Sequence, residues 1–209
     1  MKSILFSCLL LVALGSSAQS EKYLAAMEKN LHAFDTAAKT TADYQMLANN
    51  FERIGDAEKT QWLPYYYAGL ALANAGWADQ KLDKDANSTR INTFCDKAEA
   101  LDKNSEIYVL RNMSATQQML VDPQTRYMTY GVKASEYLNI AIKLNPDNPR
   151  IYYLQGESMF GTPAAFGGGK DKAKPLFEKA LALYKVEKPK PMWPNWGKER
   201  TEEQLAKCQ

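Results

Sequence analysis

The sequence predicts an all-α protein, built from about four antiparallel helix pairs and closed by a C-terminal capping helix. Apolar residues recur at spacings of three and four, the period of one helix face. Small residues also recur along the chain, with Gly69, Asn112 and Gly156 separated by 43 and 44 residues. An Asn-Pro turn at 145–146 joins two of the predicted helices. Periodic helices repeated at a fixed interval indicate stacked pairs, because one pair cannot bury its apolar stripe alone.

The first pair is predicted from helices at 21–38 and from Thr40 or Thr41 to Gly55, with Asp43 in the opening turn of the second. Later helices are expected at 62–77, 88–101, 129–144 and 171–184, with Ser105 as the cap of another. Gly69 inside a helix indicates close approach of a neighbouring helix, whereas Asn112 at the matching position suggests looser packing. These helices give one domain from 19 to 209, with repeats at 21–56, 62–103, 105–145 and 148–185.

The end of the chain is expected to differ from the repeats. Three prolines between 185 and 197 exclude a helix there. We expect this stretch to run extended, with Trp193 and Trp196 on the last helix pair. A final helix from Lys198 to Cys208 would then cap the array, as stacked repeats require for solubility.

Composition and the N-terminus suggest an exported protein. Lys2, followed by an apolar run from Ile4 to Leu14 and small residues up to Ala18, is typical of a signal peptide spanning 1–18. The run is too short to span a membrane, so we expect no membrane insertion after cleavage. We expect the periplasm of a bacterium, with the cell surface or the extracellular space as alternatives. The net charge of +2 gives no indication of nucleic-acid binding.

Export permits disulfides, and Cys95 and Cys208 remain after cleavage. They could form one bridge that ties down the C-terminus. Alternatively, Cys95 is a packed core thiol, since it falls on an apolar position of its helix, and Cys208 is a frayed, exposed thiol.

The stretch Asn139–Tyr184 resembles the tetratricopeptide (TPR) repeat. Ala134, Leu138 and Ala141 are followed by Asn-Pro, Tyr and Gly, and the same small–large–small spacing returns after 170. The resemblance covers about 60–185 and implies a right-handed α-solenoid. The repeat interval exceeds the usual 34 residues, so longer helices and loops are expected within each pair, and a HEAT-type repeat is the alternative. A weaker likeness, from Pro163, Phe166, Gly167 and Gly168, is to the exported helical-repeat component associated with TRAP transporters.

In the TPR family, the first helix of each pair lines a concave groove. Carried over by position, this implies that a peptide or protein segment binds to Tyr66, Asn74, Met113, Gln117, Arg150, Tyr153 and Glu157. Aromatic anchors with a few polar groups suit such a partner, whose identity the sequence does not give.

The glycine-rich loop offers a second binding hypothesis. It lacks the first glycine and the Ser or Thr of a phosphate-binding P-loop. It could be a sharp turn with glycines at positive φ, in which Phe166 fills an apolar hole. Alternatively, it could be the loop of a periplasmic small-molecule-binding protein, contacting the ligand through Phe166, Gly167, Gly168, Gly169 and Lys170.

No constellation predicts catalysis. The chain has one histidine, His32, which excludes chemistry based on a histidine pair. Its carboxylates are scattered in ordinary surface patterns. The sequence therefore predicts a protein that is not an enzyme and that carries no catalytic residues, cofactor or metal.

Overall fold

A computed structural model describes residues 10–209, with side chains from Glu21 onward. The predicted signal peptide lies outside the residues with described side chains. The helices are α1 Leu10–Thr36, α2 Thr41–Glu58, α3 Leu63–Ala78, α4 Lys84–Leu101, α5 Ser105–Leu120, α6 Pro123–Arg126, α7 Val132–Leu144, α8 Pro149–Gly161, α9 Lys170–Tyr184 and α10 Lys198–Ala206, with a π-helical turn at Tyr127–Gly131 and a 3-10 turn at Ala164–Phe166.

The all-α class is confirmed over residues 10–209, which contain no strand. Successive long helices pack against one another in chain order, α2 on α3, α3 on α4 and so on to α10 on α9. The first five helices share one core, which joins Phe51, Leu72, Ile91, Ile107 and Leu110, and separate smaller clusters lie among the later helices. No helix of this part of the chain is both long and apolar enough to cross a membrane. The right-handed solenoid stays a prediction.

Local capping explains where the helices begin. The Thr40 hydroxyl accepts from the Asp43 amide at 3.2 Å, and the Asp43 carboxylate accepts from the Thr40 amide at 2.9 Å. This reciprocal capping box fixes the start of α2. The predicted cap of α5 is wrong by one residue: the Asn104 side chain, not that of Ser105, accepts from the first free amides. Asn and Ser cap equally well, so composition alone does not separate them.

Glycines inside helices mark close contacts between neighbours. Gly55 does not end α2, contrary to the prediction, because the helix continues to Glu58. A Cβ at Gly55 would lie 2.7 Å from the ring of Tyr65. At Gly69, a Cβ would lie 2.7 Å from Leu110 Cδ2, which is the close approach that the sequence predicted. Asn112 is buried and donates to the Ala134 carbonyl at 2.9 Å, so a hydrogen bond joins the helices where the other repeats have glycine.

The C-terminal segment, residues 186–197, runs back across the first helices. The Tyr67 hydroxyl donates to the Met192 carbonyl at 2.9 Å, and the Trp193 ring lies 5.1 Å from that of Trp62. Trp193 therefore packs on the start of α3, not on the last helix pair as predicted, whereas Trp196 does contact that pair, because the Tyr184 hydroxyl donates to its carbonyl at 3.1 Å. The prolines keep the segment from forming a helix and let it cross between distant elements.

Cys95 and Cys208 are both free and buried. The bridge between Cys95 and Cys208 is therefore not formed, and Cys208 is not the exposed thiol of the alternative hypothesis. Cys208 lies in a small apolar cluster with Ala173 and Phe177, which fixes the end of the chain on α9.

Candidate functional site

The predicted groove residues lie mostly beneath the chain's own C-terminal segment or inside the core. Tyr66 has no exposed surface, and its hydroxyl accepts from the Trp196 indole at 2.9 Å. Tyr153 is half-buried, with its ring 6.3 Å from that of Trp196. A partner would have to displace this segment to reach either tyrosine. Of the remaining predicted residues, Arg150, Met113 and Gln117 are buried, whereas Asn74 and Glu157 are half-buried.

A buried ion-pair network anchors the segment. Arg150 Nε lies 2.9 Å from both carboxylate oxygens of Glu106, and the Arg150 guanidinium also pairs with Glu187. Asn148 donates to Glu106 at 2.7 Å. Burial raises the pKa of Glu106, and the charge of Arg150 opposes that rise. Burial acts to lower the pKa of Arg150, but the paired carboxylates outweigh it and hold that pKa above its ordinary value. The network therefore joins α5, α8 and the start of the C-terminal segment.

The glycine-rich loop is a surface turn. Gly167 and Gly169 have φ of 86° and 102°, values that favour glycine. Phe166 is 81% exposed, so the prediction that it fills an apolar hole is wrong. Gly168 is buried, and a Cβ there would lie 2.3 Å from the Thr162 carbonyl oxygen, so glycine is required at this position. Phe166 and Lys170 are both exposed and could reach a ligand, so ligand binding by this loop stays a hypothesis.

The sequence did not indicate an open cleft of about 510 Å³ between α1 and α2. Its lining comes from facing turns of the two helices. It consists of apolar, aromatic, cationic and amide side chains and one carboxylate: Lys22, Tyr23, Ala26, Lys29, Asn30, Asn50, Arg53, Ile54, Ala57 and Glu58. Cavities of this size hold drug-sized organic molecules.

Hydrogen bonds order one wall of this cleft. Arg53 donates to the Asn50 carboxamide, Asn50 donates to Asn30 at 3.0 Å, and Asn30 donates to the Ala26 carbonyl at 2.8 Å. The chain of bonds holds the two helices at a set distance. Because Ala26 and Ala57 are small, their side chains leave the space between the helices open.

Tyr23 is the most unusual group of this cleft. Its hydroxyl oxygen is buried and has no hydrogen-bond partner among the residues whose side chains are described, although buried hydroxyls are nearly always paired. Burial, and secondarily the charge of Glu58, raises the pKa of Tyr23 to about 12. The phenol therefore stays protonated at neutral pH and can donate one hydrogen bond to a bound group.

The charges around the cleft favour an anion. Lys22, Lys29 and Arg53 outnumber the single carboxylate, Glu58, by three to one. Each long side chain can lay its aliphatic part along apolar surface while its charge reaches the rim. The cleft therefore suits a ligand with an apolar body and carboxylates at its edge.

Sequence reasoning missed this cleft because its cations looked like an ordinary solvated helix face. Tyr23 was the available signal. It stands four residues before Met27, on the same face of α1 as Met27, Leu31 and Phe34, and it packs against the core at the edge of that apolar stripe. An aromatic residue flanked by cations can indicate a ligand surface, yet nothing in a single helix shows how far away its partner helix lies.

Taken together, the fold and the cleft define an all-α protein of packed helix pairs with an open, cation-lined cleft. No known family profile matches the chain, and no curated protein matches it. Among solved structures, it is similar to the HusA haemophore from Porphyromonas gingivalis, with a TM-score of 0.81 and 36% sequence identity. The match covers 89% of this chain and 92% of that protein. The chain therefore belongs to the same family as the HusA haemophore.

Proposed function

We propose that this protein is an exported, non-enzymatic binding protein for a tetrapyrrole such as haem, and that the α1–α2 cleft holds the ligand. The family relationship to a haemophore supports the ligand class. The observation that carries the placement is the cleft itself, which combines a cationic rim with a buried, unpartnered Tyr23 hydroxyl.

The chemistry of the cleft fits a porphyrin carboxylate edge. Haem is a flat apolar ring with two propionates. Carboxylates form strong charge-assisted hydrogen bonds with Lys and Arg, here Lys22, Lys29 and Arg53. The protonated Tyr23 hydroxyl would donate to one propionate and so gain the partner that it lacks. Ile54 and Ala57 would lie against the ring.

The arrangement of the helix pairs is the second feature of this proposal. We infer that the helix pairs stack as a right-handed, TPR-like solenoid, with the C-terminal segment on its inner face. One observation favours a peptide-binding role as second candidate: this face already accepts an extended, proline-containing segment through Tyr66 and Tyr67. A peptide would have to take the place of that segment, whereas the cleft is open.

The test is to titrate residues 19–209 with haem and with metal-free protoporphyrin. The change in Soret absorbance reports binding. Arg53→Gln and Lys29→Gln each remove one cation and should weaken binding about three- to tenfold, the equivalent of about 0.7–1.4 kcal/mol for one surface charge pair or hydrogen bond. Tyr23→Phe should weaken the binding of haem and of protoporphyrin by a similar factor, because it removes only a hydrogen-bond donor.

Lys172→Gln, an exposed lysine on α9, is the matched control and should bind as the parent does. Phe166→Ala separates the cleft from the glycine-rich loop. Loss of binding in Phe166→Ala with full binding in Arg53→Gln would move the site to the loop. Absence of any Soret change with the parent protein would refute tetrapyrrole binding.

A further inference from the structure

A second cleft, of about 400 Å³, opens where α3 and α5 end and α4 begins. It is separate from the α1–α2 cleft and shares none of its lining residues. Aromatic, aliphatic, amide and charged side chains line it: Trp77, Gln80, Leu82, Asp83, Lys84, Asp85, Gln117, Leu120 and Val121. Nothing in the proposed tetrapyrrole site accounts for this cleft.

Gln117 supplies the cleft with an acceptor that has no partner. Its side chain is 1% exposed, and its amide nitrogen donates to the Ala73 carbonyl at 2.7 Å. Its carboxamide oxygen is buried without a hydrogen bond. A Cβ at Gly76 would lie 2.1 Å from that oxygen, so only glycine leaves room for it. A buried acceptor of this kind favours a ligand that brings a donor.

The electrostatics of this edge favour a cation. Helices α3 and α5 both end here, and a helix C-terminus carries partial negative charge, whereas the partial positive charge at the start of α4 is capped by the Asp83 side chain. The chain already places its own cations there: Lys84 Nζ donates to the Gly76 carbonyl at 2.6 Å, and Arg126 donates to the Gln118 carbonyl at 3.2 Å. Asp83 adds an exposed carboxylate at the start of α4.

The apolar part of the cleft is open to solvent. Trp77, Leu120 and Val121 are 43%, 47% and 49% exposed, which is high for such large apolar side chains. A tryptophan face also attracts a nearby cation. The cleft thus offers an apolar wall, an aromatic face and hydrogen-bond acceptors in one place.

We propose that this second cleft binds an organic ammonium ligand with an aromatic or aliphatic body. The ammonium would donate to Gln117 and Asp83, and its body would cover Trp77, Leu120 and Val121. The two clefts then select opposite charges, since the rim between α1 and α2 is cationic. This inference does not depend on tetrapyrrole binding.

The experiment compares three ligands of nearly equal size that differ in charge. The protein is labelled with 5-fluorotryptophan, the Trp77 resonance is assigned with Trp77→Phe, and 2-phenylethylamine, 2-phenylethanol and phenylacetate are titrated. The amine should shift the Trp77 resonance saturably, with a Kd at least tenfold below that of the alcohol, and phenylacetate should give no shift. Equal binding of amine and alcohol, or no shift with the amine at 20 mM, would overturn the proposal.

One conservative variant tests the charge without disturbing the fold. Asp83 caps α4 through its side chain, and Asn caps a helix equally well. Asp83→Asn should therefore leave α4 intact and raise the Kd of the amine threefold or more. Asp147→Asn, an exposed turn carboxylate elsewhere, is the matched control. Arg53→Gln should leave amine binding unchanged, and unaltered affinity in Asp83→Asn would contradict the assigned contact.

Discussion

Replacing Arg150 by methionine should be among the most destabilising substitutions in this protein. The side chain is 3% exposed and holds Glu106, also 3% exposed, and Glu187. Removing one partner of a buried pair leaves the other charge without compensation, which costs about 3–5 kcal/mol. With a urea m-value of about 2 kcal/mol/M, the unfolding midpoint should fall by about 2 M. Circular dichroism at 222 nm measures that midpoint.

The loss in Arg150→Met should depend on pH. Burial already raises the pKa of Glu106, and without Arg150 nothing of comparable strength opposes that rise. A carboxyl with a folded-state pKa above its unfolded value lowers stability at high pH, and the penalty disappears as the pH falls through the folded-state pKa. The stability difference between parent and variant should therefore narrow between pH 7 and pH 5.

Two further variants isolate the cause. Glu106→Gln combined with Arg150→Met should recover part of the loss at pH 7, because no buried charge is then left unpaired. Arg90→Met, an exposed arginine that donates to Asn49, should change stability by less than about 0.5 kcal/mol. A loss below about 1 kcal/mol in Arg150→Met, or one that is equal at pH 5 and pH 7, would refute the argument.

Three other substitutions and treatments test the packing. Gly156→Ala places a Cβ 2.4 Å from the ring of Phe177 and should cost about 1–3 kcal/mol of unfolding free energy by urea titration, whereas no loss would show that the helices can separate. Thr40→Ala removes the hydroxyl that pairs with Asp43 and should lower stability by about 1 kcal/mol, with Thr40→Ser as a neutral comparison. Burial raises the pKa of Cys95 to about 12, so its thiol should resist iodoacetamide at pH 8 until urea unfolds the chain, as followed by mass spectrometry.

The sequence was sufficient for features that depend on near neighbours along the chain. The start of α2 at Thr40 or Thr41, the course of α3 after Trp62 and the close approach at Gly69 follow from spacing, helix-terminus chemistry and the absence of a Cβ. Even the error at Ser105 is a shift of one residue between two good caps. Local patterns carry this information because a helix is defined by contacts three and four residues apart.

Features that depend on distances between helices were missed. The α1–α2 cleft arises because facing residues such as Ala26 and Ala57 are small while an amide hydrogen-bond network spans the helices. Single-helix periodicity assigns Lys29 and Arg53 to solvent and says nothing of the space between them. Phe166 was missed for the same reason, since its exposure depends on what lies opposite the loop.

The predicted groove is covered by the chain's own C-terminal segment. Tyr66, Arg150 and Tyr153 were predicted to bind a segment of a partner; in the structure Tyr66 and Tyr153 meet Trp196, and Arg150 meets Glu187. That segment belongs to the same chain. The aromatic and charged pattern of a helix face indicates the chemistry of the residues that cover it. Sequence spacing does not say whether those residues belong to the same chain or to another molecule. Glu187, for example, lies 37 positions from Arg150. Because the intramolecular segment is tethered, its effective concentration exceeds that of most free peptides. A peptide would therefore have to compete with this tethered segment for the predicted groove, and peptide binding there stays a proposal.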